Sequence, residues 1–136
     1  MSSQNVEIVR RSFEAWNRDD VDAWLEGAHP EIEWSSEVVR RMEGAETVYR
    51  GTGGMRRYWD EWHAVWDMTI EVTEARDVDG DTVLAFAQLH SRGRGSGVDV
   101  DQPVAYVIEF DDGLARRVRA YLDPQQAIEA AGLAGD

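Results

Sequence analysis

Period-two alternation dominates the second half of the chain and limits its possible folds. Residues 68–75 alternate through Met68, Ile70 and Val72, and Asp79-Gly80-Asp81 then turns into a run over 82–92. Gly93-Arg94-Gly95-Ser96-Gly97 leads to a third run over 98–110, and Asp111-Asp112-Gly113 turns into a fourth over 114–122. Connections this short join sequential strands as antiparallel neighbours, so the four runs predict a meander. A meander needs something to cover its apolar face.

The first half supplies the cover. Val6, Val9, Phe13 and Trp16 recur at helical spacing and predict a helix over 3–18 with Ser3 as its cap. Asp19 or Asp20 caps a second helix that turns Val21, Trp24, Leu25 and Ala28 inward, and His29-Pro30 ends it because the residue before proline avoids helical backbone. Ile32 and Trp34 alternate with Glu31 and Glu33 as a short strand, and residues 35–50 read as an irregular loop. A third helix over 53–66 carries Met55, Trp59, Trp62 and Trp66 at three- and four-residue steps. Asp123-Pro124, with Gln126 behind, starts a last helix that stops near Gly132. The fold class is therefore α+β, in one domain over residues 1–136.

Composition narrows the function. A net charge of −13 repels nucleic acid and anionic membrane, and no stretch approaches the ~20 apolar residues of a membrane helix. The start Met-Ser-Ser-Gln-Asn-Val-Glu has neither a basic nor an apolar segment, so a cytoplasmic protein is expected. Without cysteine there is no disulfide or thiolate chemistry, and three scattered histidines give no metal spacing, so neither metal nor cofactor is expected. All 14 basic residues are arginine, which suggests a GC-rich, bacterial source. Gly51-Thr52-Gly53-Gly54 precedes a helix, with Thr52 as a cap or an anion held near Arg56 and Arg57, but it lacks the lysine of a phosphate loop. The glycine run 93–97 lies between strands and reads as a hairpin or bulge. His29 marks a helix end and His63 is expected to face solvent.

Several segments carry a resemblance. His29-Pro30-Glu31-Ile32-Glu33-Trp34, Tyr49-Arg50-Gly51 before the tryptophan-rich helix, the glycine run 93–97 and Tyr121-Leu122-Asp123-Pro124 with Ala127–Gly132 together resemble the SnoaL-like branch of the nuclear transport factor 2-like superfamily. The resemblance covers nearly the whole chain. It implies a cone in which a curved antiparallel sheet wraps a long helix, with an apolar cavity at the open end and a homodimer formed through the outer face of the sheet. Assigned members include polyketide cyclases, ketosteroid isomerase, limonene epoxide hydrolase and scytalone dehydratase, while others only bind ligands or associate.

The resemblance directs attention to Arg119, Tyr121 and Asp123, which lie two residues apart on one strand face. Asp123 is either a base that removes a proton beside a carbonyl or simply the cap of the last helix. Tyr121 and Arg119 either stabilise an oxyanion or lie on an outer surface, and strand parity decides between them. His90 is either an acid or base, or a histidine hydrogen-bonded across the sheet. Trp34, Tyr49, Met55, Trp59 and Trp62 either line the cavity or form core. Three readings follow: cofactor-free isomerase or cyclase chemistry on a small apolar carbonyl compound, a non-catalytic pocket for a small apolar molecule, and a dimeric association domain whose cone is filled.

Overall fold

The computed structural model describes residues 3–36 and 48–132. Helix α1 spans Ser3–Asn17, α2 Val21–Glu26, α3 Gly51–Val65 and α4 Pro124–Ala130. Strands are β1 Ala28–Ser36, β2 Val48–Arg50, β3 Trp66–Asp77, β4 Thr82–Gly93, β5 Asp99–Asp111 and β6 Leu114–Tyr121. They form one curved, unclosed sheet in the order β2-β1-β6-β5-β4-β3. The meander is antiparallel as expected, but β1 runs parallel to β6, with Trp34 opposite Val118. The sheet is therefore mixed. The α+β cone expected from the sequence is the fold found.

Local chemistry explains the boundaries. Asp20 caps α2 by accepting from the Ala23 N–H at 3.1 Å, and Gly27 closes the helix. The helix thus stops before His29-Pro30, which belong to β1. Part of the expected 35–50 loop is strand: β1 continues to Ser36 and β2 begins at Val48, while 37–47 lie outside the described residues. Thr52 is not a cap, because α3 starts behind Arg50 without any side-chain cap bond. Trp66 leaves the helix and opens β3, opposite Gly93.

The sheet has a different cover on each face. Its inner face packs Met68, Ile70, Val83, Ala85, Ala87, Leu89, Val104, Tyr106, Ile108, Val118 and Ala120 against α1, α2 and α3 in one core. Its outer face carries a smaller cluster, in which Ala127 of α4 seals Leu84, Ala105 and Val107, with Tyr121 and Ile128 at its margin. Burial on both faces explains the unbroken buried run Val104–Ile108.

α1 also closes the free edge of β3. Asn17 Nδ2 donates to the Ile70 carbonyl at 2.8 Å, and the Ile70 N–H donates to Asn17 Oδ1 at 2.7 Å. The Trp16 indole donates to the Met68 carbonyl at 3.1 Å. These bonds occupy edge groups that would otherwise be open to another strand.

Candidate functional site

The interior is built by aromatic side chains from four elements. Trp34 comes from β1, Tyr49 from β2, Tyr58 from α3 and Tyr106 from β5, and all four are buried. Tyr58 sits 5.1 Å from Trp34 and 5.2 Å from Tyr49, between ring centroids. Tyr106 lies 6.1 Å from Trp34 and 4.9 Å from Phe13. Trp59 and Trp24 complete the wall at 5.2 Å from one another, in the tilted geometry that ring quadrupoles favour.

The polar atoms here are few: indole N–H groups, which only donate, and phenol hydroxyls, which donate and accept. Trp34 Nε1 is buried and has no hydrogen-bond partner among the described residues. It stands near the Tyr58 hydroxyl, beyond hydrogen-bonding limits, and opposes the rise in that phenol's pKa that burial causes. Burial nevertheless raises Tyr58 well above the ordinary phenol range, and the charges that Tyr106 and Tyr49 would carry raise it further. Burial alone raises Tyr106. Both are therefore neutral phenols at physiological pH, able to donate and unable to act as bases. The Tyr49 hydroxyl donates to Glu61 Oε1 at 2.5 Å. Every fully buried residue among those described is apolar, aromatic or glycine; Asp77, whose Oδ2 is buried, and His63, largely covered, stand outside the cavity wall.

Two spaces adjoin this cluster at opposite ends of the sheet. A cavity of about 40 Å³ lies toward the β5–β6 hairpin, walled by Phe13, Trp34, Met55, Ile108 and Val118. It holds a few water molecules at most. A groove of about 190 Å³ lies toward the β4–β5 connection, between Trp62 and Trp66 on one side and Leu89, Val100 and Gln102 on the other.

The structure divides the residues singled out in the sequence. Trp34, Tyr49, Met55, Trp59 and Trp62 all join the inner core. On β6, Val118 and Ala120 face the helices, so Arg119 and Tyr121 project from the outer face. Arg119 Nη2 donates to Glu109 Oε2 at 2.7 Å and Nη1 to the Tyr121 hydroxyl at 3.4 Å. Asp123 is exposed and caps α4, with Oδ1 accepting from the Gln125 N–H at 2.9 Å. His90 is also on the outer face, bridging Glu71 Oε1 and Asp101 Oδ1 at 3.0 Å each. Those contacts raise its pKa, Glu71 first. His63, expected in solvent, is instead largely covered and stacks on Trp59 at 4.2 Å.

Tyr58 and Tyr106 escaped the sequence reading, although their signals were present. Tyr58 falls on the α3 stripe between Met55 and Trp62, and Tyr106 shares parity with the inward Val104 and Ile108. Among the described residues no helix is long and apolar enough to cross a membrane, and no cluster of three His, Cys, Asp or Glu can hold a metal.

A curved mixed sheet wrapped around helices, with an aromatic interior, defines the nuclear transport factor 2-like class. Within it the chain belongs to the SnoaL-like domain family, whose model matches residues 9–118. A similar fold occurs in a nuclear transport factor 2-like protein of unknown function from Burkholderia pseudomallei, at 18% identity, TM-score 0.78, and coverage of 95% of this chain and 97% of that one. TerC co-crystallised with polyporic acid gives 21% identity, TM-score 0.79, and coverage of 95% and 98%. A putative SnoaL-like polyketide cyclase from Jannaschia sp. CCS1 gives 22% identity, TM-score 0.75, and coverage of 100% and 96%. No curated protein matches the chain.

Proposed function

We propose that this protein binds a small, uncharged, largely aromatic molecule inside the cone, with a carbonyl or similar acceptor placed beside Trp34 and Tyr58. The observation that carries this reading is the Trp34 indole N–H, buried without an acceptor among the described residues, on a side chain that lines an apolar cavity. A buried donor left unpaired costs roughly 1–3 kcal/mol, and a ligand acceptor would recover it. The TerC complex with polyporic acid and the putative cyclase support a small-molecule role for this fold.

Binding is favoured over acid–base catalysis by the character of the interior. Neutral phenols and an indole can polarise a carbonyl, but among the described residues no carboxylate or imidazole lines the cavity to take its proton. This reading gives Asp123, Tyr121, Arg119 and His90 no contact with the ligand.

The test is a tryptophan-fluorescence and thermal-shift titration at neutral pH with the uncharged 2,5-diphenyl-1,4-benzoquinone, 1,4-naphthoquinone and naphthalene, the last lacking an acceptor. Quinone binding should raise the melting temperature. Tyr58→Phe and Trp34→Phe should each weaken it by about 2–10-fold, as loss of one neutral hydrogen bond implies. Equal affinity for naphthalene and naphthoquinone, or no shift with any of the three, would overturn the proposal.

A further inference from the structure

The 40 Å³ cavity is smaller than even a one-ring ligand requires, since about 150 Å³ accommodates benzene. Most of any bound molecule must therefore lie in an adjoining space. Two spaces compete. The Trp62–Trp66 groove shares no wall residue with the cavity. A second cleft, of about 170 Å³, shares three: Ile8, Ser12 and Gly27. It opens between α1 and the α2–β1 junction, with Arg11 and Glu26 at its rim.

We infer that the interior is entered from this rear cleft, and that the α1 side, rather than the Trp62–Trp66 groove, holds the body of the ligand. The inference rests on the binding reading above for its ligand, but the route itself does not depend on it. Local sequence keeps the partition between cleft and cavity thin, so that only Ile8, Ser12 and Gly27 need part to join them. Gly27 ends α2 without a side chain, and a Cβ at this position would stand 2.8 Å from Ile8 Cγ2 and 3.1 Å from Ser12 Oγ. Any larger residue would occupy the boundary shared by the cleft and the cavity. Of the three shared wall residues only Ser12 carries a polar side chain, so the passage selects a narrow, mainly apolar molecule. A polar end would rest at Arg11 and Glu26 while the acceptor end reaches Trp34.

The chain has no cysteine, which makes a ligand-free test possible. Met55 is 3% exposed and lines the cavity, so Met55→Cys places a single thiol at the end of the proposed route. Its rate of modification by methyl methanethiosulfonate is measured alone, then with Ser12→Phe plugging the rear cleft, and then with Ser91→Trp plugging the opposite groove. Leu114→Trp, on the cleft rim and away from the cavity wall, is a second rear plug should Ser12→Phe fail to fold. Either rear plug should slow modification at least 10-fold with the melting temperature retained, while Ser91→Trp leaves the rate unchanged. Slowing by Ser91→Trp, or equal rates in all variants, would overturn the inference. The quinone titration of the unmodified protein reports on the binding reading separately.

Discussion

The Asn17 clasp on the β3 edge gives the most direct test of how the cone is held together. Its side-chain amide makes two bonds to one residue, accepting from the Ile70 N–H at 2.7 Å and donating to its carbonyl at 2.8 Å. Both are partly buried, and among the described residues no strand lies beyond β3. Asn17→Ala removes both partners of the Ile70 backbone. At about 1 kcal/mol net per bond the loss is about 2 kcal/mol, since water reaches a partly buried edge and limits the penalty. For a domain of this size that corresponds to a fall of roughly 6–10 °C in melting temperature. Urea unfolding should show the midpoint falling with an unchanged slope. The Ile70 amide should lose protection in hydrogen exchange before the core strands do. Asn17→Asp sharpens the test. It keeps the acceptor for the Ile70 N–H but turns a carboxylate toward the Ile70 carbonyl. At neutral pH it should be at least as damaging as alanine, and less so once protonated. A loss below about 0.5 kcal/mol for Asn17→Ala, within the range of an ordinary surface change, would refute the clasp.

Two further outcomes follow from the outer face. Asp123→Ala should destabilise by about 1 kcal/mol through loss of the α4 cap while leaving naphthoquinone affinity unchanged; a large change in affinity with stability intact would show that the cap is not its main role. His90 has its pKa raised by Glu71 and Asp101, so its stabilisation is complete below the ordinary value of 6.5 and fades as pH rises through the raised value. The stability difference between wild type and His90→Gln should accordingly be larger at pH 6 than at pH 9, and a difference that grows with pH would refute the bridge.

Much of the fold was legible because its signals are local. Apolar stripes placed α1 and α3, and turn residues separated the four meander strands. What remained hidden depends on long-range packing. The parallel pairing of β1 with β6 leaves no mark on either strand, because it follows from where the chain returns after the meander. Trp66 continues the α3 stripe by periodicity, yet an apolar residue at that position also suits the first inward position of a strand. The parity of β6 was open for a similar reason. Val118 and Ala120 are apolar, but Tyr121 on the opposite face is also apolar enough to pack under α4. Two apolar faces look alike until the docking place of α4 is known.

The same ambiguity explains why the candidate site moved. A search for chemistry that begins with titratable groups leads to Arg119, His90 and Asp123, and in this fold they form ion pairs and a cap on the outer surface. With a net charge of −13 the chain has charge to spare outside, whereas a charged group in this interior would have to overcome desolvation without a counter-ion. Neutral donors are therefore the polar groups that an aromatic core of this kind tolerates. They serve recognition better than proton abstraction. Left unpaired, the Trp34 N–H lowers the stability of the empty protein, and an acceptor that reaches it regains that energy as affinity. On the proposed function one atom links stability to selectivity: what penalises the empty cone would distinguish a carbonyl compound from a hydrocarbon of the same shape.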